Sequence, residues 1–252
     1  MTTHWRIPVE ARDVPSARLF TAGVFSTYKA VESNYGYPQG YAVKPVCEQL
    51  VELSKHFSGL NTSSVLACSK KLPALPAGAE GWFAVPRWEK VAETYKQAVG
   101  KVLDLIDKTR TFVNYWEEGE LGPTHLRLSK RTAVALQMIG KKQKGDFLLI
   151  PAQFGLAHRG RSVRRVRVVY AGNEFGLGSF IVGCMILSHP ERLVLGTELY
   201  VNCPGDEHRW RGDDHFRSTP LFHFIYGAVE FHDYCDCNAD RHYGSASAFV
   251  SQ

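Results

Sequence analysis

Apolar residues along this chain fall first into helical spacing and later into strand-like alternation. Over Pro45–Phe57, the residues Val46, Leu50, Leu53 and Phe57 share one helical face, and Pro45 suits the first turn. From Trp88 through Ile106 the apolar positions Trp88, Val91, Tyr95, Ala98, Val102, Leu103 and Ile106 recur at three- and four-residue steps. Charged Glu89, Lys90, Glu93, Lys96, Lys101 and Asp104 fill the other side, so one continuous amphipathic helix packed on a core is expected. A turn at Glu117–Pro123 leads to another helix, capped by Ser129 and stopped by Gly140, with Ala133, Leu136 and Ile139 inward.

Strands are expected at Trp82–Val85, ended by Pro86, at Phe147–Ile150, ended by Pro151, and at Leu199–Cys203. Leu221–Tyr226 and Val229–Phe231, separated by Gly227-Ala228, read as a hairpin. Two segments fit either period. Residues 161–170 suit helix or strand, and Glu174–Leu187 reads as a helix capped by Asn173 or as a strand over Phe180–Leu187. The pattern predicts an α+β fold of mixed helices with a predominantly antiparallel sheet and a β-rich C-terminal part. Residues 1–70 form a small N-terminal region, 71–81 a Pro/Gly-bearing connector and 82–252 the main domain, with a single domain over the whole chain as the alternative.

At 252 residues, 44% hydrophobic and 22% charged, the chain has the composition of a folded protein. Phe180–Leu187 is too short to span a bilayer, and the first twenty residues lack the basic-then-apolar order of a secretory signal. A soluble cytoplasmic protein is expected. Its six scattered cysteines read as reduced thiols.

Charge is distributed unevenly. Residues 127–167 hold eleven Lys and Arg against Asp146 alone, a balance of +10. The whole chain is +5, so the remainder carries −5. Arginine dominates the distal part, and a planar guanidinium can grip phosphate through two parallel hydrogen bonds. The candidate anion-binding residues are therefore Arg159, Arg161, Arg164, Arg165 and Arg167, of which either conformation groups at least three. The alternative is a solvated face or a set of internal ion pairs.

Other chemistry is weaker. Gly172–Gly178 (GNEFGLG) stands before an apolar segment as a phosphate loop would, yet its glycine spacing fits neither the dinucleotide fingerprint nor the P-loop, so a tight turn is expected. Cys203, His208, His215, His223, His232, Cys235, Cys237 and His242 are zinc-capable types without the spacing of a structural site. Asp206, Glu207, Asp213 and Asp214, beside His208 and His215, read as a polar loop that could hold a hard cation such as magnesium. No resident cofactor is assigned.

The function expected is binding of nucleic acid or another phosphate-rich polyanion without a sequence-specific motif. A metal-dependent enzyme acting on a phosphate-containing substrate and an adaptor for an acidic protein are the alternatives.

Overall fold

Two sheets meet where the chain crosses Ala246, the single residue between their last strands. The computed structural model describes Ile7 and residues 29–116 and 124–251; the turn expected over 117–123 lies outside them. The first half contributes α1 (Val46–His56), α2 (Ser63–Ser69), β1 (Gly81–Pro86), α3 (Trp88–Val91), α4 (Tyr95–Thr109), β2 (Phe112–Asn114), β3 (Leu126–Leu128), α5 (Lys130–Lys142) and β4 (Phe147–Gln153). The second contributes α6 (Val163–Val169), β5 (Glu174–Gly176), α7 (Ser179–Ser188), β6 (Tyr200–Asn202), β7 (Asp206–His208), β8 (Ser218–Ile225), β9 (Ala228–Cys235), β10 (Tyr243–Ser245) and β11 (Ser247–Phe249). This is the expected α+β class, with mostly antiparallel pairing.

The smaller sheet has the order β1-β4-β11-β5, antiparallel throughout. The larger is built on β8. β9 pairs along one edge of β8, and the other edge is shared by β7 at Ser218 and β6 at Leu221–Phe222. β3 joins β7, while β10 and β2 add parallel pairings to β6 and β9. The β8–β9 hairpin turns at Tyr226-Gly227, both at positive φ (49° and 85°), which sets the strands one residue away from the Gly227-Ala228 turn expected.

One apolar core joins Leu50 and Leu53 of α1, Phe83 of β1, Val99 and Ile106 of α4, Phe180 and Met185 of α7, and Phe222 and Phe231 of the larger sheet. α7 is buried along its whole length, as its uniformly apolar sequence requires. Its position settles the ambiguity over residues 174–187. Glu174–Gly176 is a strand and only the segment from Ser179 is helical, capped from a distance by Asp206, whose Oδ2 accepts the Ser179 N–H at 2.7 Å.

Three boundaries differ from the sequence reading. The expected helix from Trp88 to Ile106 is broken between α3 and α4, because Thr94 and Gln97 form a reciprocal capping box that starts a new helix. β4 runs through Pro151 to Gln153; β11 pairs with it only at Ala152 and Gln153, so the proline removes no ladder donor on that side. The buried seam of α5 is Thr132, Ala135 and Ile139 rather than Ala133, Leu136 and Ile139, and the helix continues to Lys142. Thr132 anchors that seam by donating to the Gly176 carbonyl at 2.8 Å.

Candidate nucleic-acid interface

Residues 161–170 are largely helical. Ser162 caps α6 by accepting the Arg165 N–H at 3.2 Å, and Val163 and Val166, three residues apart, are buried. The arginines between and after them turn away from that contact. Arg165 is exposed, and among the described residues its guanidinium has no hydrogen bond or ion pair. Arg159, also exposed, donates to the Tyr35 carbonyl at 3.2 Å.

The other three brace the fold as well as carrying charge. Arg164 Nε lies 2.7 Å from Asp236 Oδ1, in ion-pair contact without hydrogen-bond alignment, and Arg167 Nη1 lies 3.4 Å from Asp236 Oδ2. Burial still holds the Asp236 carboxyl above the usual range, against the pull of both arginines. Arg167 also donates to the Pro204 and Asp206 carbonyls, tying α6 to the β6–β7 connection. Arg161 donates to His158 Nδ1 at 3.0 Å, which leaves His158 Nε2 to donate to Glu174 Oε1 at 2.6 Å. Glu174 also accepts from Ser247 Oγ and from the Ala171 N–H, and these bonds hold its carboxyl below the usual range against burial.

Basic residues nearer the start of the charged window lie elsewhere. Arg127 pairs with Glu207 across β3 and β7 at 2.8 Å and sits over the Phe216 ring. Arg131 donates to the Glu174 and Ala171 carbonyls at one end of α5, whereas Lys141 and Lys142 are exposed at its other end. The charged window is thus several surfaces.

Beside Arg159 begins a feature that charge counting missed. Tyr35, whose carbonyl holds Arg159, packs its ring 4.0 Å from that of His242. His242 is stacked on Tyr200 at 5.2 Å, Tyr200 meets His223 at 4.6 Å, and His223 meets His232 at 4.6 Å. From His232 the contacts fork to Tyr234 at 4.7 Å and Tyr115 at 5.9 Å. The rings come from β6, β8, β9 and the flanking segments, and the alternation of strand side chains puts His223, Glu230, His232 and Tyr234 on the face opposite Phe222 and Phe231. Tyr115 is 59% exposed and Tyr234 45% exposed.

The two imidazoles at the centre of the face are neutral. Burial lowers His223 to about 4; burial and the neighbouring His223 lower His232 to about 4. His223 Nε2 lies 3.1 Å from Glu230 Oε2 and 3.0 Å from His232 Nε2, an arrangement satisfied when its N–H is shared between the two acceptors.

No family model, curated protein or solved structure matches this chain. The reading of the site therefore rests on its own geometry.

That geometry revises several expectations. Asp206–His208 is a strand, not a polar loop. Asp206 is fully buried, accepts from Tyr95 Oη at 2.7 Å as well as from Ser179, and is pushed by burial up to about 6. Glu207 is paired with Arg127. His208 is buried, with Nδ1 2.9 Å from Asp233 Oδ2 and its ring stacked on Trp116. Cys235 and Cys237 form a disulfide rather than two reduced thiols; Cys47, Cys68, Cys184 and Cys203 are free. Among the described residues no group of three or more His, Cys, Asp or Glu is arranged to hold a metal ion, and no helix is long and apolar enough to cross a membrane. The GNEFGLG segment is a close-packed junction, where a Cβ at Gly178 would clash with Tyr95 Oη and Asp206 Oδ1.

Proposed function

We propose that the protein binds nucleic acid through the arginine ridge formed by Arg159, Arg161, Arg164, Arg165 and Arg167, without reading its sequence. One observation carries this reading: among the described residues, these five guanidiniums are opposed by a single paired carboxylate, Asp236. A ridge with a surplus of four positive charges attracts a phosphate backbone and releases its counterions. Arg159 and Arg165 are the freest contacts, Arg164 contributes in part, and Arg161 and Arg167 mainly hold the ridge in place.

The test is a salt titration. Contact with about four phosphates costs on the order of a hundredfold in affinity between 50 and 200 mM salt. The Arg159→Ala/Arg165→Ala pair, at positions that brace the fold least, should reduce the magnitude of the salt slope by about two while leaving the thermal midpoint unchanged. Binding that ignores both salt and these substitutions removes the proposal. A partner retained after nuclease treatment favours an acidic protein instead.

A further inference from the structure

From the ring-bearing face of the larger sheet we infer that the nucleic acid bound is single-stranded, its bases stacking on the exposed rings of Tyr115 and Tyr234 while its phosphates follow the arginines. This rests on the nucleic-acid reading above and names the form of the ligand.

Three observations support it. The first is continuity. Ring contacts run unbroken from Tyr35 through His242, Tyr200 and His223 to His232, then to Tyr234 and Tyr115, so packed rings, most of them edge to face or tilted, hold the exposed Tyr115 and Tyr234 in place. A ring presented in this way tolerates any base, because every base has a π-face.

The second is the division of charge. Arg159 borders the face at Tyr35, and exposed Arg241 precedes His242, so cations stand at that rim. The interior holds the neutral imidazoles of His223 and His232, tyrosines and one acid, Glu230, engaged with His223. Exposed Asp240, which accepts the His242 backbone N–H at 2.8 Å, lies beside Arg241 at the rim. Phosphates are repelled from that interior and drawn to the rim, which suits a strand lying with bases inward and backbone along the arginines.

The third is access. Tyr115 and Tyr234 expose 59% and 45% of their surface, enough to offer a ring face while their neighbours hold their orientation. A duplex conceals its base faces in the stack and could meet only the arginine rim.

The experiment compares three probes of equal length at one salt concentration: a single-stranded homopolymeric oligonucleotide, a blunt duplex, and an abasic strand carrying the same phosphates. The base-bearing single strand is expected to bind on the order of tenfold tighter than the abasic strand. Tyr234→Ala and Tyr115→Ala, both at exposed positions, should each remove a large part of that advantage without altering the salt slope. Tyr234→Phe should retain it, since the ring remains, and oligonucleotide should quench the intrinsic tyrosine fluorescence of the unaltered protein.

Equal affinity for the base-bearing and abasic strands, with the salt slope intact, overturns single-strand stacking while the arginine reading stands. Tighter binding of the duplex has the same meaning. Failure of all three probes to bind in a salt-dependent way overturns both.

Discussion

Two short helices of this protein, α6 and α7, show how similar beginnings lead to opposite roles. α6 starts on its own Ser162 and buries only Val163 and Val166, so its arginines remain at or near the surface. α7 starts on Asp206, contributed by a strand 27 residues further along the chain, and every one of its residues is buried. The N-terminus of α7 has the dipole of an anion site, but Asp206 already occupies it, whereas the guanidiniums of α6 add charge that a single aspartate only partly offsets. A helix N-terminus after a glycine-bearing segment is therefore a weaker pointer to phosphate here than a short helix rich in arginine.

The sharpest way to break the contrast is Asp206→Ala. It removes the cap of α7 and leaves the Tyr95 hydroxyl buried without its acceptor, at a combined cost of about 3 kcal/mol. Urea unfolding should show that loss; an unchanged midpoint would mean that α7 does not depend on its distant cap. Ser162→Ala attacks the corresponding point of α6, where a local cap is worth about 1 kcal/mol. Because α6 positions the ridge, this variant should also weaken oligonucleotide binding, and normal binding by a measurably destabilised protein would detach the cap from the site.

A third test concerns the ring face beside Arg159. His223 and His232 are held near 4, below their ordinary 6.5, so between these values the unfolded chain takes up protons that the folded chain does not. Their contribution to stability is present above about pH 6.5 and is lost as the pH falls towards 4. Replacing both by Phe should flatten that part of the stability profile, measured as urea midpoints across the range; an unaltered profile would show that the two imidazoles are not buried neutral. The smallest effect is Arg165→Ala, expected to change stability by less than about 0.5 kcal/mol while reducing the salt slope of oligonucleotide binding by about one. A marked loss of stability would reassign Arg165 from the surface to the scaffold.

How much of this was legible varies by element. α1, β1 and the β8–β9 hairpin follow from spacing and punctuation, since their apolar residues face one core and their ends carry proline, or glycine in a tight turn. The break between α3 and α4 was written in Thr94 and Gln97, but the longer apolar stripe obscured it. The arginine cluster was legible as composition. Its division into exposed Arg159 and Arg165 and the braced Arg161, Arg164 and Arg167 was not, because Asp236, His158 and the Pro204 carbonyl are brought to it by the fold. The ring face left one trace in the sequence: His223 on one predicted strand, and His232 with Tyr234 on a continuation of the next, at two-residue spacing. Tyr35, Tyr115, Tyr200 and His242 join them only through long-range packing.

The sequence by itself determined the α+β class, the principal amphipathic helix and the concentration of arginine, because these depend on local periodicity and composition. Only the tertiary structure decided which acid restrains the arginines, what caps α7 and which rings share a face, because each of those contacts joins residues far apart in the chain.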